Sequence, residues 1–237
     1  MAESAPIASA NSRQLDTLRL YGALIDQRED WGGGLVLCCG EGCVSNGMPA
    51  AVSIAGGATL AIDSDAGAVK AAMRLGELDF VVNTLDEALR ALKNEIRQRR
   101  PLSVGLTANV TSTLDEVVER GLLPDLLLVG INQSAQPILQ NKSIQALEMM
   151  GMPLRRMTGP DQERLDRPMI LSRREVHLAA TNAVELRAID ERVQAILPPD
   201  DLVRRRWIQR VARYLRDARS GGRWVWLSEE EQRQLSV

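Results

Sequence analysis

Short, mostly apolar runs alternate along the first half of the chain with longer segments whose apolar residues recur every three or four positions. The runs that predict strands are GLVLCC (34–39), TLAID (59–63), LSVGLTAN (102–109) and DLLLVGI (125–131). Strands that are apolar on both faces are typical of a parallel sheet with helices on both sides. The pattern therefore predicts an α/β fold, a doubly wound parallel sheet whose core covers about residues 32–137.

The segments between these strands carry helix start and stop residues. They are GMPAAVSIAGG (47–57), SDAGAVKAAMRLG (64–76), TLDEALRALKNEIRQRR (84–100) and TSTLDEVVERG (111–121). Thr84 stands as an N-cap with Glu87 in the capping-box position. Before the sheet, we expect a flexible tail over residues 1–10 and a helix that begins at Asn11 or Ser12 as its N-cap.

The second half of the chain has a different composition, and we expect residues 138–237 to form a helical and strand extension of a single domain over residues 11–237. The predicted parts are a helix over 136–154, an exposed loop over 155–168, amphipathic helices over 185–197 and 201–219, a strand over 223–227 and a last helical turn over 228–235. Asp200 or Asp201 is the predicted N-cap of the second amphipathic helix.

The composition limits the classes of function. The 237 residues are 45% hydrophobic, and 29 basic side chains against 31 acidic ones give a formal net charge of -2. This balance argues against a protein that mainly holds nucleic acid or an anionic membrane. Without a leader-like N-terminus or a run of about 20 apolar residues, we expect a soluble, cytoplasmic protein.

A glycine-spaced loop follows the first strand in GLVLCCGEGCVSNG (34–47). In dinucleotide-binding crossovers, one glycine permits a tight turn, a second lets the backbone approach the phosphates, and an acidic residue about 20 positions later accepts from the ribose hydroxyls. Gly40, Gly42 and Asp63 stand at these positions, while Ser45 replaces the third glycine. The alternative is that the glycines only form a turn and Asp63 is an ordinary carboxylate at a strand end.

Several ordered motifs resemble the NAD-binding, Rossmann-like domain of the urocanase family. They are GEGCVSNGMPAAVSIAGGATLAIDSD, RLGELD, LDEALRAL and PLSVGLTANVTSTLDEVVERGLLPDLLLVGINQSAQP, over about residues 32–137. In urocanases, the nicotinamide ring of NAD is an electrophile that the substrate attacks so that water can add. The resemblance implies that Cys43, Val44 and Ser45 face the pyrophosphate and that Asp63 binds the ribose. The other cofactor contacts that it implies are Asn109, Val110, Gln133 and Ser134.

The chain also departs from the family. Cys43 and Ser45 bring side chains to glycine positions, Ala68 replaces an arginine, and Gln136 stands where the family has a histidine. The substrate-binding core of urocanases is missing, so we expect no hydration of urocanate by this chain alone. Two hypotheses follow: a stand-alone NAD-binding domain that works in a homodimer or with a separate catalytic subunit, or a degenerate relative that has lost NAD and serves assembly or regulation.

Other candidate groups favour structural interpretations. We expect Cys38 and Cys39 to be core residues on opposite faces of a strand, and Cys43 to be loop filler rather than a reactive thiol. The spacing of the cysteines predicts no metal site, and His177 is a hydrogen-bonded structural imidazole rather than a catalytic one. No serine stands in a nucleophile elbow, which argues against hydrolase chemistry.

The arginine-rich helix over 202–219 has two interpretations. Its arginines, with Trp207 and Tyr214 as stacking surfaces, are compatible with nucleic-acid binding. Its apolar stripe of Leu202, Trp207, Val211, Leu215 and Ala218 favours instead a core-facing helix with a solvated arginine face. We favour the second interpretation. Trp224 and Trp226, if both are exposed, indicate a subunit interface.

Overall fold

In the computed structural model of the protein, the described residues are 5–40, 43–44, 46–131, 138, 140–158 and 173–235. The helices are α1 (Ala5–Gln27), α2 (Met48–Ala55), α3 (Ala66–Leu75), α4 (Leu85–Arg97), α5 (Val110–Glu119), α6 (Lys142–Met149), α7 (Ala183–Ile196), α8 (Leu202–Tyr214) and α9 (Glu229–Leu235). The strands are β1 (Leu35–Cys39), β2 (Ala58–Asp63), β3 (Phe80–Val82), β4 (Leu102–Thr107), β5 (Leu126–Ile131), β6 (Leu154–Thr158), β7 (Arg174–Ala179) and β8 (Gly222–Leu227).

The first six strands form one parallel sheet in the order β3-β4-β2-β1-β5-β6. The chain moves from β1 to β2 on one side of β1, and returns to place β5 on the other side. The sheet therefore reverses its direction of winding between β1 and β5. In open α/β sheets, ligands bind outside the carboxyl ends of the strands at such a point.

Two apolar layers cover the sheet, as alternation along β1 requires. Cys38 belongs to the layer with α1, α2, α3, α7 and α8, and Cys39 belongs to the layer with α4, α5 and α6. Both cysteines are completely buried, which confirms the prediction that they are core residues on opposite faces. The α/β, Rossmann-like, doubly wound architecture with extra helices at both ends is also confirmed.

Helix α2 is an interior helix, and all eight of its residues are buried. Its sequence MPAAVSIA has no charged residue, and α1 and α8 pack over it. Arg206 and Arg210 of α8 donate to the carbonyl oxygens of Ala55 and Ile54 at its carboxyl end. Cationic groups at this end satisfy unpaired carbonyls and complement the helix dipole.

The C-terminal extension forms a second, smaller sheet. Strands β7 and β8 pair antiparallel, and Tyr21 of α1 stacks on Trp226 with ring centroids 6.3 Å apart. Trp226 is buried and Trp224 is half-buried, so the two indoles are not exposed together. The two tryptophans are therefore not the jointly exposed pair that would indicate a subunit interface.

Several local predictions are confirmed at the helix starts. Thr84 and Glu87 form the capping box of α4, and the Asp201 carboxylate accepts from the Arg204 amide at the start of α8. In both cases a short polar side chain supplies the acceptor that the first turn of a helix lacks.

Other local predictions are wrong. Helix α1 begins at Ala5, so neither Asn11 nor Ser12 is its N-cap, and the helix enters the segment predicted as a tail. The predicted loop over 155–168 begins with residues of β6, which pairs with β5, and α6 is much shorter than the predicted helix. The helix predicted over 201–219 ends at Tyr214, and a 3-10 turn follows over Arg216–Arg219. Strands β3, β6 and β7 are not predicted by the sequence pattern.

Candidate functional site

The first feature of the site is the turn that leaves β1 at the point where the winding reverses. Gly40 has a φ of 91°, a left-handed conformation that favours glycine. A Cβ atom at this position would lie 3.3 Å from Ile138 Cδ1 and 3.4 Å from the Gly130 oxygen of β5. The Gly40 amide donates to the Ile62 oxygen of β2 at 3.2 Å, so the turn is tied to both neighbouring strands.

Cys43 and Val44, which follow the Gly40 turn, lie inside the protein. The Cys43 amide donates to the Gly40 oxygen at 3.2 Å, and both Cys43 and Val44 are completely buried. The Cys43 thiol lies 3.6 Å from the Leu128 oxygen of β5, and the Cys38 thiol lies 3.2 Å from the Cys43 oxygen. The sulfur of Cys43 is thus a part of the core, as expected of a filler residue. The predicted contacts Gly42 and Ser45 lie outside the described residues.

Asp63 is the last residue of β2 and stands beside Thr107 of β4. It is 5% exposed, and its Oδ1 atom accepts from the Asp65 amide at 2.9 Å. The structure therefore places a carboxylate one strand away from Gly40, at the same edge of the sheet.

Asn109 and Val110 lie at the next position along this edge. Asn109 is the N-cap of α5, and its side-chain oxygen accepts from the Ser112 amide at 3.0 Å. Its side chain is exposed and Val110 is buried, so of the pair Asn109 presents the polar group to solvent. The Ala108 amide donates to the Asp63 oxygen, which fixes this turn against β2. Gln133, Ser134 and Gln136 lie outside the described residues.

A buried carboxylate, that of Glu77, lies against the start of α2, and no sequence pattern indicated it as a candidate. The Gly47 amide, at the N-cap, donates to Glu77 Oε2 at 3.0 Å, and Arg13 Nη1 donates to Glu77 Oε1 at 2.9 Å. Glu77 is completely buried, and Gly47 packs so closely on Thr17 of α1 that a Cβ atom would lie 2.1 Å from its Oγ1. Burial raises the pKa of Glu77 to about 7, against the opposing influence of Arg13.

These contacts decide how an NAD-type dinucleotide fits. At the carboxyl edge, a tight glycine turn and a carboxylate stand on neighbouring strands, which are the groups that Rossmann-like folds use toward the phosphate and the ribose of the adenosine half. The start of α2 does not fit a diphosphate. The Gly47 amide donates to the Glu77 carboxylate, and the Met48 amide donates to Asn46 Oδ1 at 3.0 Å. Pro49 has no N–H, so none of these three residues offers an amide to a diphosphate. Amides of the loop between Gly40 and Gly47 would have to hold the diphosphate.

The comparison with known families agrees with this fold. Residues 17–133 match the model described as the Urocanase Rossmann-like domain. This part of the 237-residue chain is therefore a urocanase Rossmann-like domain, and it runs from α1 to just past β5. Urocanases in general bind NAD. Strands β6, β7 and β8 and helices α6 to α9 lie outside the matched segment.

The arginines of α8 and the following turn serve mainly as internal donors. Arg205, Arg206, Arg210, Arg216 and Arg219 each donate to main-chain oxygens near the carboxyl end of a helix: α7, α2, α2, α3 and α8 respectively. Arg204 is 3% exposed and pairs with Asp201 and Glu231. The predicted solvated face is thus wrong for Arg204. Leu202, predicted in the apolar stripe, is instead 56% exposed.

The remaining candidates lie apart from this edge. His177 is stacked against Trp224 with ring centroids 5.0 Å apart, and its buried Nε2 atom has no hydrogen-bond partner among the described residues. The expected hydrogen bond is therefore missing at that atom, and burial lowers the pKa of the imidazole.

In the described part of the chain, no group of three or more His, Cys, Asp or Glu is placed to hold a metal. Across the same residues, every helix is too short or too polar to span a membrane.

Proposed function

We propose that the chain is a urocanase-type domain that binds an NAD-type dinucleotide at the carboxyl edge of its sheet. The observation that carries the proposal is that Gly40 and Asp63 stand at the carboxyl ends of the neighbouring strands β1 and β2, next to the point where the winding reverses. Gly40 holds a left-handed turn between β5 and β2, and Asp63 ends β2 directly beside it. This is the arrangement in which a Rossmann-like fold receives a ribose and its neighbouring phosphates.

Each residue of this edge has a separate role in the proposal. Asp63 accepts from the adenosine ribose hydroxyls, and Asn109 offers its exposed amide group at the end of β4. By the resemblance to urocanases, the proposal also gives Gly42 and Ser45 contacts with the diphosphate, and Gln133 and Ser134 further contacts with the cofactor. In urocanases, the bound NAD supplies an electrophilic nicotinamide ring.

Catalysis needs residues that the family takes from its substrate-binding core. We propose that a second copy of this chain or a separate catalytic subunit supplies them, and that the protein acts in the cytoplasm. We expect no nucleic acid among its partners, because the guanidinium groups of α8 hold internal carbonyls and carboxylates. Without such a partner, we expect binding of NAD and no hydration of urocanate.

Calorimetric titration with NAD+ and NADH tests the binding site. We expect Asp63→Asn to raise the Kd about tenfold or more, because a charge-assisted hydrogen bond to the ribose is lost. Asp65→Asn is the matched control: Asp65 caps α3 two residues later, and an asparagine keeps that cap. The absence of heat up to millimolar ligand, or equal losses in both variants, would contradict the proposal.

A second candidate is a relative that keeps the fold for assembly and no longer binds a cofactor. The closed start of α2 and the complete burial of Cys43 and Val44 favour it. Mass spectrometry of small molecules released by acid from the purified protein separates the two candidates. Stoichiometric NAD in the extract would exclude the second candidate. An extract without NAD, together with a titration without heat, would support it.

A further inference from the structure

A cluster of charged groups joins four elements beside the start of α2. Glu77 follows α3, and its main chain is fixed by hydrogen bonds from the Gly76 amide to Met73 and from the Glu77 amide to Ala72. From this fixed position, the carboxylate reaches Arg13 on α1 and the Gly47 amide at the N-cap of α2. Arg13 Nε also lies 3.5 Å from Asp217 Oδ2 in the 3-10 turn.

The charges around Glu77 are unequal in effect. Arg13 stabilises its ionised form, while Asp217 opposes ionisation from the other side of Arg13. Arg216, next to Asp217, packs its side chain on Gly76 and donates to the main-chain oxygen of Arg74. Its guanidinium group therefore binds the carboxyl end of α3 rather than Glu77. One arginine shared between two carboxylates compensates only in part for the loss of hydration of the buried Glu77 carboxylate.

We propose that the contact of Arg13, Glu77 and Gly47 is a pH-sensitive latch, which holds α1 over the start of α2 in acid and loosens as the solution becomes neutral to alkaline. Below neutrality, the neutral carboxyl group is buried at little cost. As the proton leaves, the ionised carboxylate gains more from water than the shared arginine and one amide provide.

The sign of the effect follows from proton linkage. The pKa of Glu77 is raised from 4.5 to about 7 in the folded protein, so the closed latch binds the proton more tightly than an open latch with a solvated carboxylate. By linkage, the opening constant then rises about 70-fold between about pH 5 and pH 8. The Gly47 N-cap that the latch holds lies seven residues after Gly40.

The Gly47 amide reports directly on the latch, because its hydrogen-bond acceptor is Glu77 itself. We would measure its hydrogen exchange by NMR from about pH 5 to 8, divided by the intrinsic exchange rate, and expect protection to fall by about 70-fold. The ¹³C signal of the Glu77 carboxyl group, followed in the same protein, should titrate near neutral pH.

Three variants complete the test. Glu77→Gln should show Gly47 protection that no longer depends on pH, and Arg13→Gln should move the midpoint of the transition to higher pH. Glu148→Gln, an exposed glutamate on α6, is the matched control and should behave as the wild type. No nucleotide is present, so the result is independent of the proposed NAD site.

A carboxyl titration near pH 4.5 in the wild type, or constant Gly47 protection across this range, would overturn the latch. The wild-type titration decides the matter even if Glu77→Gln does not fold.

Discussion

Two buried arginine–carboxylate clusters of this chain have opposite effects on their glutamates. Arg13 meets Glu77 beneath α1, and Arg204 meets Glu231 between α8 and α9. Burial raises the pKa of Glu77 to about 7. Burial also opposes the ionisation of Glu231, but there the bonds from Arg204 and Ser228 prevail and lower its pKa to about 2.

The geometry of the arginine explains the difference. Arg204 approaches Glu231 with two parallel bonds, Nη1 to Oε2 at 2.7 Å and Nη2 to Oε1 at 2.8 Å, and the Ser228 amide adds a third. Arg13 gives Glu77 a single bond. The side chain of Glu231 is also 13% exposed, while that of Glu77 is 0% exposed. A buried carboxylate therefore stays ionised only where several donors replace water.

The largest expected effect is that of removing the arginine from the well-bonded cluster. Arg204→Met leaves the Asp201 and Glu231 carboxylates without their common partner, which typically costs about 3–5 kcal/mol of unfolding free energy. Urea denaturation at neutral pH measures the loss. Arg187→Met, at an exposed position of α7, is the control and should stay within about 0.5 kcal/mol of the wild type. A loss below about 1 kcal/mol for Arg204→Met would contradict the conclusion that Arg204 is what stabilises the buried carboxylates of its cluster.

The next effect is a pH dependence that depends on Glu77. Since its folded pKa is raised from 4.5 to about 7, its stabilising contribution is complete below 4.5 and is lost as the pH rises through about 7. This loss corresponds to about 3 kcal/mol. We expect the unfolding free energy of the wild type to fall by this amount relative to Glu77→Gln. Parallel curves for the two proteins would show that Glu77 is not perturbed.

A smaller effect of opposite sign is expected at Glu231. Its folded pKa is lowered from 4.5 to about 2, so its contribution is present above 4.5 and is lost as the pH falls through about 2. With screening by nearby solvent, we expect Glu231→Gln to cost about 2 kcal/mol at neutral pH. Glu229→Gln, in the exposed pair with Arg174, is the control in the same helix. Acid denaturation curves should shift only for Glu231→Gln.

The smallest effect concerns the neighbour that shares Arg13. Asp217→Asn removes a negative charge that opposes ionisation of Glu77, so the pKa of Glu77 should fall by less than about one unit. The ¹³C titration of the Glu77 carboxyl group measures the shift. A rise of the pKa in this variant would mean that Asp217 positions Arg13 rather than competes for it.

Much of the fold could be predicted from the sequence because its signals are local. The four apolar runs became β1, β2, β4 and β5, and Thr84 with Glu87 fixed the start of α4. The missed strands lack such a signal: β3 has only the three residues FVV, β6 reads LRRMT, and β7 reads REVHLA, with three charged or polar side chains. Their pairing partners, β4, β5 and β8, determine that they are strands.

The candidate site was predicted only in part. The sequence predicts that Gly40 and Asp63 lie at the same edge, because each stands at the end of a strand and the sheet brings strand ends together. Their contacts with a cofactor stay a prediction. Glu77 was missed because its partner Gly47 is 30 positions away and belongs to another element. The arginines of α8 were read as solvated because a helical pattern shows which residues are apolar, and not which carbonyl oxygens the opposite side meets.

The sequence by itself determined the order of strands β1, β2, β4 and β5 and of the helices between them, the two buried faces of β1 and the tight glycine turn that ends it, since these depend on side-chain periodicity and on the conformational range of glycine. Only the tertiary structure decided which donors and acceptors meet at the helix ends. At the start of α2 the acceptor is the carboxylate of Glu77, and at its end the donors are Arg206 and Arg210. These unpaired backbone groups bind whatever polar side chain packing brings within 3 to 3.5 Å, and packing is set by elements distant in the chain.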